Sequence, residues 1–451
     1  MRPKKQTSAP QIDLFRNRLE NILDRRHELY RLGDLISWEQ FESQFGKLYA
    51  EEGRPGIPIR LMVGLTYLGH AYNLSDEEVV RRWVENPYYQ YFCGETYFQH
   101  SLPINPSSLS RWRGRIGEEG AELILKLTIP TGIASKAVQP QSLERITVDT
   151  TVQEKAVAFP TDSRLYHRSR IRLVKLALRC GITLRQTYKR LGAQALLKVG
   201  RYLHARQRKR ANREIKRLKI FLGRVYRDIQ RKIKGRDELQ DHFLAELTLA
   251  GRLLAQEKKD KNKLYSLHAP EVECISKGKA HKKYEFGVKV SVATTNRDNF
   301  VVGMFAEQGN PYDGHTLATA LEQVKRLTGR MIERCFVDRG YRGHGIKETE
   351  ILISGQKRGM TPQMKKELKR RSAIEPVIGH MKMDGKLGRN YLAGKLGEKI
   401  NALLCGAGHN IRLILRKLRE RLLFFCLNLL MRNCDRSLSG ITSYRSPALP
   451  N

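Results

Sequence analysis

The spacing of apolar positions changes several times along the chain. Up to about residue 120 it is helical. Leu61, Leu65, Leu68 and Tyr72 recur every three to four residues after Pro58. Ser75-Asp76-Glu77-Glu78 reads as an N-cap with acids in the first turn, ahead of Val79, Val80, Trp83 and Val84, and Asn86-Pro87 closes that helix. Residues 107–115 predict another capped helix with one basic face. From Leu143 the period falls to two: Ile146, Val148 and Val152 alternate with Thr147, Asp149, Thr151 and Gln153. Helical spacing returns over 164–262, with predicted apolar stripes at Leu165, Ile171, Val174 and Leu178 and at Leu244, Leu247, Gly251 and Leu254. Tyr284, Phe286, Val288, Val290 and Val292 then alternate, residues 296–299 turn, and 300–305 return as the second strand of a hairpin. A helix bearing Leu317, Ala320, Leu321 and Val324 follows Asp313-Gly314-His315. Residues 331–337 predict a buried strand ending on Asp338, 355–370 a basic connector around Pro362, and 390–432 apolar helix.

Strands mixed with helices in this order predict an α/β sheet. The expected units are a disordered tail (1–11), a helical domain (12–125), the first part of the sheet core (140–163), a basic helical insertion (164–262), the rest of the core (280–390), C-terminal helices (391–435) and a second disordered tail (436–451). Leu422 through Leu430 suit a buried or dimer-facing helix.

Charge adds a partner to this picture. The 451 residues carry 83 Lys+Arg against 46 Asp+Glu, a net charge of +37, which favours a polyanion. No apolar run reaches transmembrane length and no apolar segment follows the basic start, so nucleic acid is preferred to a membrane. No acid occurs between Asp162 and Glu214, and Arg208, Lys209 and Arg210 can track a phosphate backbone. Arg111 and Arg113 can face DNA from the second helix of a helix-turn-helix. The seven cysteines are scattered without a CxxC, which suggests neither a disulfide framework nor a zinc ribbon and suits a reducing cytoplasm.

The candidate chemistry is carboxylate chemistry. Asp149 sits in mid-strand, where propensity disfavours it. Asp338 ends a buried strand among Arg339, Tyr341 and Arg342. Glu375 and Lys382 share a helical face, joined by Arg371 if the helix begins early enough; Pro376 leaves that start open. Three such acids can hold two divalent cations about 4 Å apart, and Mg²⁺ suits carboxylates plus phosphate oxygens. On spacing alone Asp313, Glu348 and Glu350 are rivals.

The segment from Val148 to Ser163, the segment Gly309 to His315, Val337-Asp338-Arg339-Gly340-Tyr341, and the segment Ile374 to His380 resemble, in consistent order, the blocks of DDE transposases of bacterial insertion sequences. The resemblance covers about 12–415, with 12–115 similar to that family's N-terminal helical DNA-binding domain. It implies an RNase H-like catalytic core and a triad of Asp149, Asp338 and Glu375 binding Mg²⁺ or Mn²⁺, two ions in all. The family's signature of Tyr, Arg, Glu and Lys around the last acid is matched by Arg371, Glu375 and Lys382; its Tyr falls on Leu368 here, a departure, with Tyr341 a possible substitute. The implied activity is binding of double-stranded DNA at the element's terminal inverted repeats, metal-dependent strand cleavage and transfer into target DNA. Synapsis of two ends implies a homodimer, acting in the bacterial cytoplasm on the nucleoid. The alternative is an inactive or domesticated relative acting as a DNA-binding repressor.

Overall fold

The computed structural model describes residues 17–50, 52–53, 55–276 and 283–441, with side chains through residue 420. The strands are β1 (Arg145–Glu154), β2 (Glu273–Ile275), β3 (Glu285–Thr295), β4 (Val301–Glu307), β5 (Arg334–Val337) and β6 (Glu350–Ile353). They form one mixed sheet in the order β2-β3-β1-β5-β6, with β4 beside β2 on the outer edge of β3. β1 runs antiparallel to β3 and parallel to β5, and β6 is parallel to β5. This is the mixed sheet of an RNase H-like core. β1 lies at its centre and is covered on both faces. Ile146, Val148 and Val152 are buried on one face, and Thr147, Thr151 and Gln153 on the other. Asp149 breaks that pattern by remaining partly open to solvent.

The helices around the sheet begin where the sequence expects. Ser75 Oγ accepts from the Glu78 amide at 3.1 Å, capping Asp76–Glu85. Asn86 ends that helix and caps Pro87–Phe92, its Oδ1 accepting from the Tyr88 amide. Ser107–Ala134 continues beyond the predicted segment, through a break at Gly117 where φ is 63°. The long helix Gly394–Ile441 packs against Ser107–Ala134, Ile59–Ala71 and β4. Leu32, Tyr67 and Ile124 of the N-terminal helices, Val148 and Val292 of the sheet, and Leu403 and Ile411 of the long helix therefore share one hydrophobic core.

The insertion has a core of its own. Asp162–Arg179, Lys189–His204, Arg208–Ile233 and Asp237–Ala255 bury Leu173, Leu222, Ile229, Phe243 and Leu253 together. At its root Lys155 Nζ donates to Glu271 Oε1 at 2.8 Å and lies 3.6 Å from Glu398 Oε1, all three side chains nearly solvent-free.

Several local expectations need correcting. Of the first insertion stripe, Leu165 and Val174 are buried together with Leu173 and Ala177, whereas Leu178 is exposed. The second turns on Phe243, Ala250 and Leu253, and Leu244 is exposed. Leucines surround both helices, so the sequence alone leaves the rotation open by one residue. Met331 is exposed outside β5. The connector expected at 355–370 contains the helix Pro362–Lys369, capped by Thr361 with Pro at its first position. Met364 of this helix packs with Phe336 and Leu352 beneath β5 and β6. Residues 1–11 and 442–451 of the expected tails, and the side chains from Leu422 through Leu430, lie outside the described residues, whereas the last helix runs to Ile441.

Candidate active site

The parallel register of β1 and β5 pairs Thr147 with Phe336. Two residues further on in that register, Asp149 in the middle of β1 comes level with Asp338, the residue just past the end of β5. Ligands gather at such strand ends in open α/β sheets. The Asp338 carboxylate accepts from the Gly340 amide at 2.8 Å and caps the tight turn Arg339–Tyr341. The Asp149 carboxylate accepts from the Thr150 amide at 2.7 Å.

Glu375 arrives on the helix Ile374–Met383, which packs on β1. A 3-10 turn, Arg370–Ala373, leads into it. Pro376 is the third residue of the helix, where its missing N–H has no intrahelical partner to lose. Arg371 lies one turn before Glu375 even though the α-helix starts later. Its guanidinium reaches both acids, with Nη1 3.6 Å from Asp149 Oδ2 and Nη2 3.4 Å from Glu375 Oε1. Glu375 itself is 65% exposed.

A fourth acid joins the pair on the strands. Asp313 is the first residue of the helix Asp313–Thr328. Its Oδ1 accepts from Thr150 Oγ1 at 3.0 Å and from Lys289 Nζ at 2.9 Å; Lys289 also donates to the Pro311 carbonyl. A methyl group placed on Gly340 would lie 2.9 Å from Asp338 Oδ1 and 3.3 Å from Asp313 Oδ2, so the two carboxylates flank one point. Tyr341 is fully buried beside them, and its hydroxyl has no hydrogen-bond partner. Burial raises the phenol's pKa well above its ordinary value, and the negative charges of Asp149, Asp313 and Asp338 raise it further. The phenol therefore keeps its proton and is a neutral donor. Asp313 was only one of several rivals in the sequence, because an acid in a helical first turn is an ordinary feature.

The other expected residues separate into available and committed groups. Arg339 and Arg342 are exposed beside Asp338, and Arg208, Lys209 and Arg210 are exposed on the insertion. Arg111 is exposed and donates to Ser107 Oγ. Lys382 is partly buried, 3.9 Å from Glu285 Oε1. Two expected DNA contacts face inward. Arg113 is buried and forked onto Asp76, because its helix turns that side toward the Asp76–Glu85 N-terminus. Tyr341 is fully buried. Leu368, at the position of the family's Tyr, packs on Phe336, Leu352 and Met364. The rivals Glu348 and Glu350 pair with Lys325 and Arg334.

All the candidate ligands are hard oxygen donors, and the orphan Tyr341 hydroxyl marks a place for a further oxygen. This donor set fits Mg²⁺ or Mn²⁺. Among the described residues, no three His, Cys, Asp or Glu side chains already converge at metal-binding distance. Arg371 stands between Glu375 and Asp149 in this arrangement.

Comparisons with known proteins converge on the same segments. Residues 17–115 match the family model described as "Transposase domain (DUF772)", and residues 257–411 match the "Transposase DDE domain". The second match contains Asp313, Asp338 and Glu375 and begins after β1. The chain is 51% identical over 207 residues to "Uncharacterized protein ORF8 in nfe locus" of Rhizobium meliloti, covering 46% of this chain and 100% of that one. No solved structure matches. Among the described residues no helix is long and apolar enough to cross a membrane.

Proposed function

The chain belongs to the DDE transposases of insertion sequences, and from that premise we propose that it binds its element's terminal inverted repeats, cleaves DNA at the ends and joins the resulting 3′-hydroxyls to target DNA. One observation carries the reading. Asp149 on the central strand β1 lies level with Asp338 at the end of the adjacent parallel strand β5, and Arg371 bridges Asp149 and Glu375.

Asp149, Asp338 and Glu375 would hold two Mg²⁺ or Mn²⁺ ions. When bound, such ions activate a water or 3′-hydroxyl and stabilise the leaving oxygen. The protein's own groups supply position. Arg371 lies between two acids that the reaction needs free, and a DNA phosphate offers its planar fork a better partner. Its transfer to phosphate releases Glu375 toward the strand ends. Arg339, Arg342 and Lys382 grip the backbone on either side of the cut. Arg208, Lys209 and Arg210 hold more distant phosphates, and Arg111 does so from the N-terminal helices. Two ends must be held at once, so the working form is a homodimer.

The test is cleavage of DNA carrying the element's ends, with and without Mg²⁺. Cleavage should require the metal. Asp149→Ala, Asp338→Ala and Glu375→Ala should each remove it, with a loss above about a thousandfold, comparable to other groups that stabilise transition-state charge, while end binding persists. A variant of any of the three that cuts at the normal rate overturns the triad. End binding without metal-dependent cleavage in the unaltered protein overturns the enzymatic reading.

A further inference from the structure

We propose that Asp313 is a fourth acid of this site: with the Tyr341 hydroxyl it orders the water around a divalent cation held by Asp149 and Asp338, and Lys289 is its built-in counter-ion. The inference rests on the metal-dependent reading above and deepens it.

Four features point to this role. Asp313 and Asp338 approach the same point beside Gly340. Thr150, the neighbour of Asp149 on β1, donates its hydroxyl to Asp313, so the acid is oriented by the strand that carries the first triad member. Lys289 holds the same oxygen, Oδ1, and leaves Oδ2 to face the site. The Tyr341 hydroxyl is buried and unpaired, and the charges of Asp149, Asp313 and Asp338 act on it. A buried hydroxyl without a partner costs about 1–3 kcal/mol, and an ordered water between phenol and carboxylates would satisfy it. Partners of this kind fix the ligands of a metal and its water, and their loss commonly lowers affinity by about 10–100-fold.

Lys289 pairs with Asp313, and Arg371 lies between Asp149 and Glu375. Asp313 is thus a positioning residue that prepares the site before DNA arrives.

The test is titration of the full-length protein with Mn²⁺ alone, reading free manganese by its electron paramagnetic resonance signal. Asp149→Asn should abolish tight binding. Asp313→Asn should weaken it at least tenfold, and Tyr341→Phe several-fold. Asp313→Asn also strands Lys289, so the double variant Asp313→Asn/Lys289→Met removes both charges. If Asp313 acts on the cation, the double variant stays weak; if Asp313 serves only Lys289, it recovers wild-type affinity and the proposal falls. Tyr341→Phe deletes only an unpaired hydroxyl and so keeps the fold; unchanged affinity in that variant also overturns the proposal. Equal Mn²⁺ binding by the unaltered protein and Asp149→Asn would instead sink the metal-dependent reading itself.

Discussion

Two buried histidines show how burial sets the behaviour of single residues here. His409 lies within the shared core, with Nε2 3.1 Å from the Asn299 carbonyl. Burial, with the Arg412 charge adding to it, pushes its pKa down to about 3. His70, 3.0 Å from the Thr66 carbonyl through Nδ1, is lowered well below its ordinary value, first by burial and then by Lys386. Both are neutral in the folded protein. Below about pH 6.5 the unfolded chain takes up protons that the folded chain refuses. Their contribution is therefore complete above that pH and is lost as pH falls toward the folded values. Urea unfolding at a series of pH values should show stability dropping from pH 6.5 to 5, by up to about 1.4 kcal/mol per unit for each histidine. His409→Gln should remove one histidine's share; a midpoint unchanged across that interval contradicts buried neutral rings. At this scale the sequence was readable where a residue broke a local rule. Asp149 stood out in mid-strand, and Asp338 at a strand end. Arg113 and Tyr341, expected at DNA, are buried in the structure; an arginine on a basic helix and a tyrosine among arginines look alike in sequence whether they face DNA or the interior. Only the Asp76 partner of Arg113 and the burial of Tyr341 distinguish them.

Among the elements, the β1–β3 pair positions the site most directly. Gly287 opposes Glu154 at the end of this ladder, and an added Cβ would meet the Gln153 carbonyl oxygen at 1.9 Å. Gly287→Ala must push the strands apart where β1 leaves the sheet. A stability loss near the top of the ~1–3 kcal/mol range for overpacking is expected, measurable by denaturant unfolding. A loss below half a kilocalorie would show that the strands separate freely there. The hairpin and the alternation in β1 were visible in the sequence because buried strands repeat every second residue. β6 was missed because Glu350-Ile351-Leu352-Ile353 is only four residues long. The rotation of the insertion helices was ambiguous because apolar side chains project on more than one side.

For the molecule as a whole, the excess of 37 positive charges makes salt the decisive variable in DNA binding. Affinity for non-specific duplex should fall by about 10³–10⁵ between 50 and 200 mM salt if six to ten phosphates are contacted. Replacing Arg208, Lys209 and Arg210 together with alanine should lower the salt slope by about three if each meets a phosphate. An unaltered slope removes that surface from the interface. The sequence pointed to a polyanion partner and to a basic segment between two halves of a core. It did not show that the N-terminal helices share the sheet's core, since packing between distant helices leaves no local periodicity.

The insertion has a kinetic consequence. The central antiparallel pair of the sheet joins Glu154 to Gly287, across roughly 130 residues of intervening chain, a closure that is entropically slow. Most of that interval is a helical bundle with its own core, built from contacts close in sequence. If the bundle folds first it acts as a short rigid tether, and Lys155 and Glu271 at its root bring the strand ends into register. Refolding should then depend on the bundle's stability: core mutations there would slow formation of a sheet they never touch.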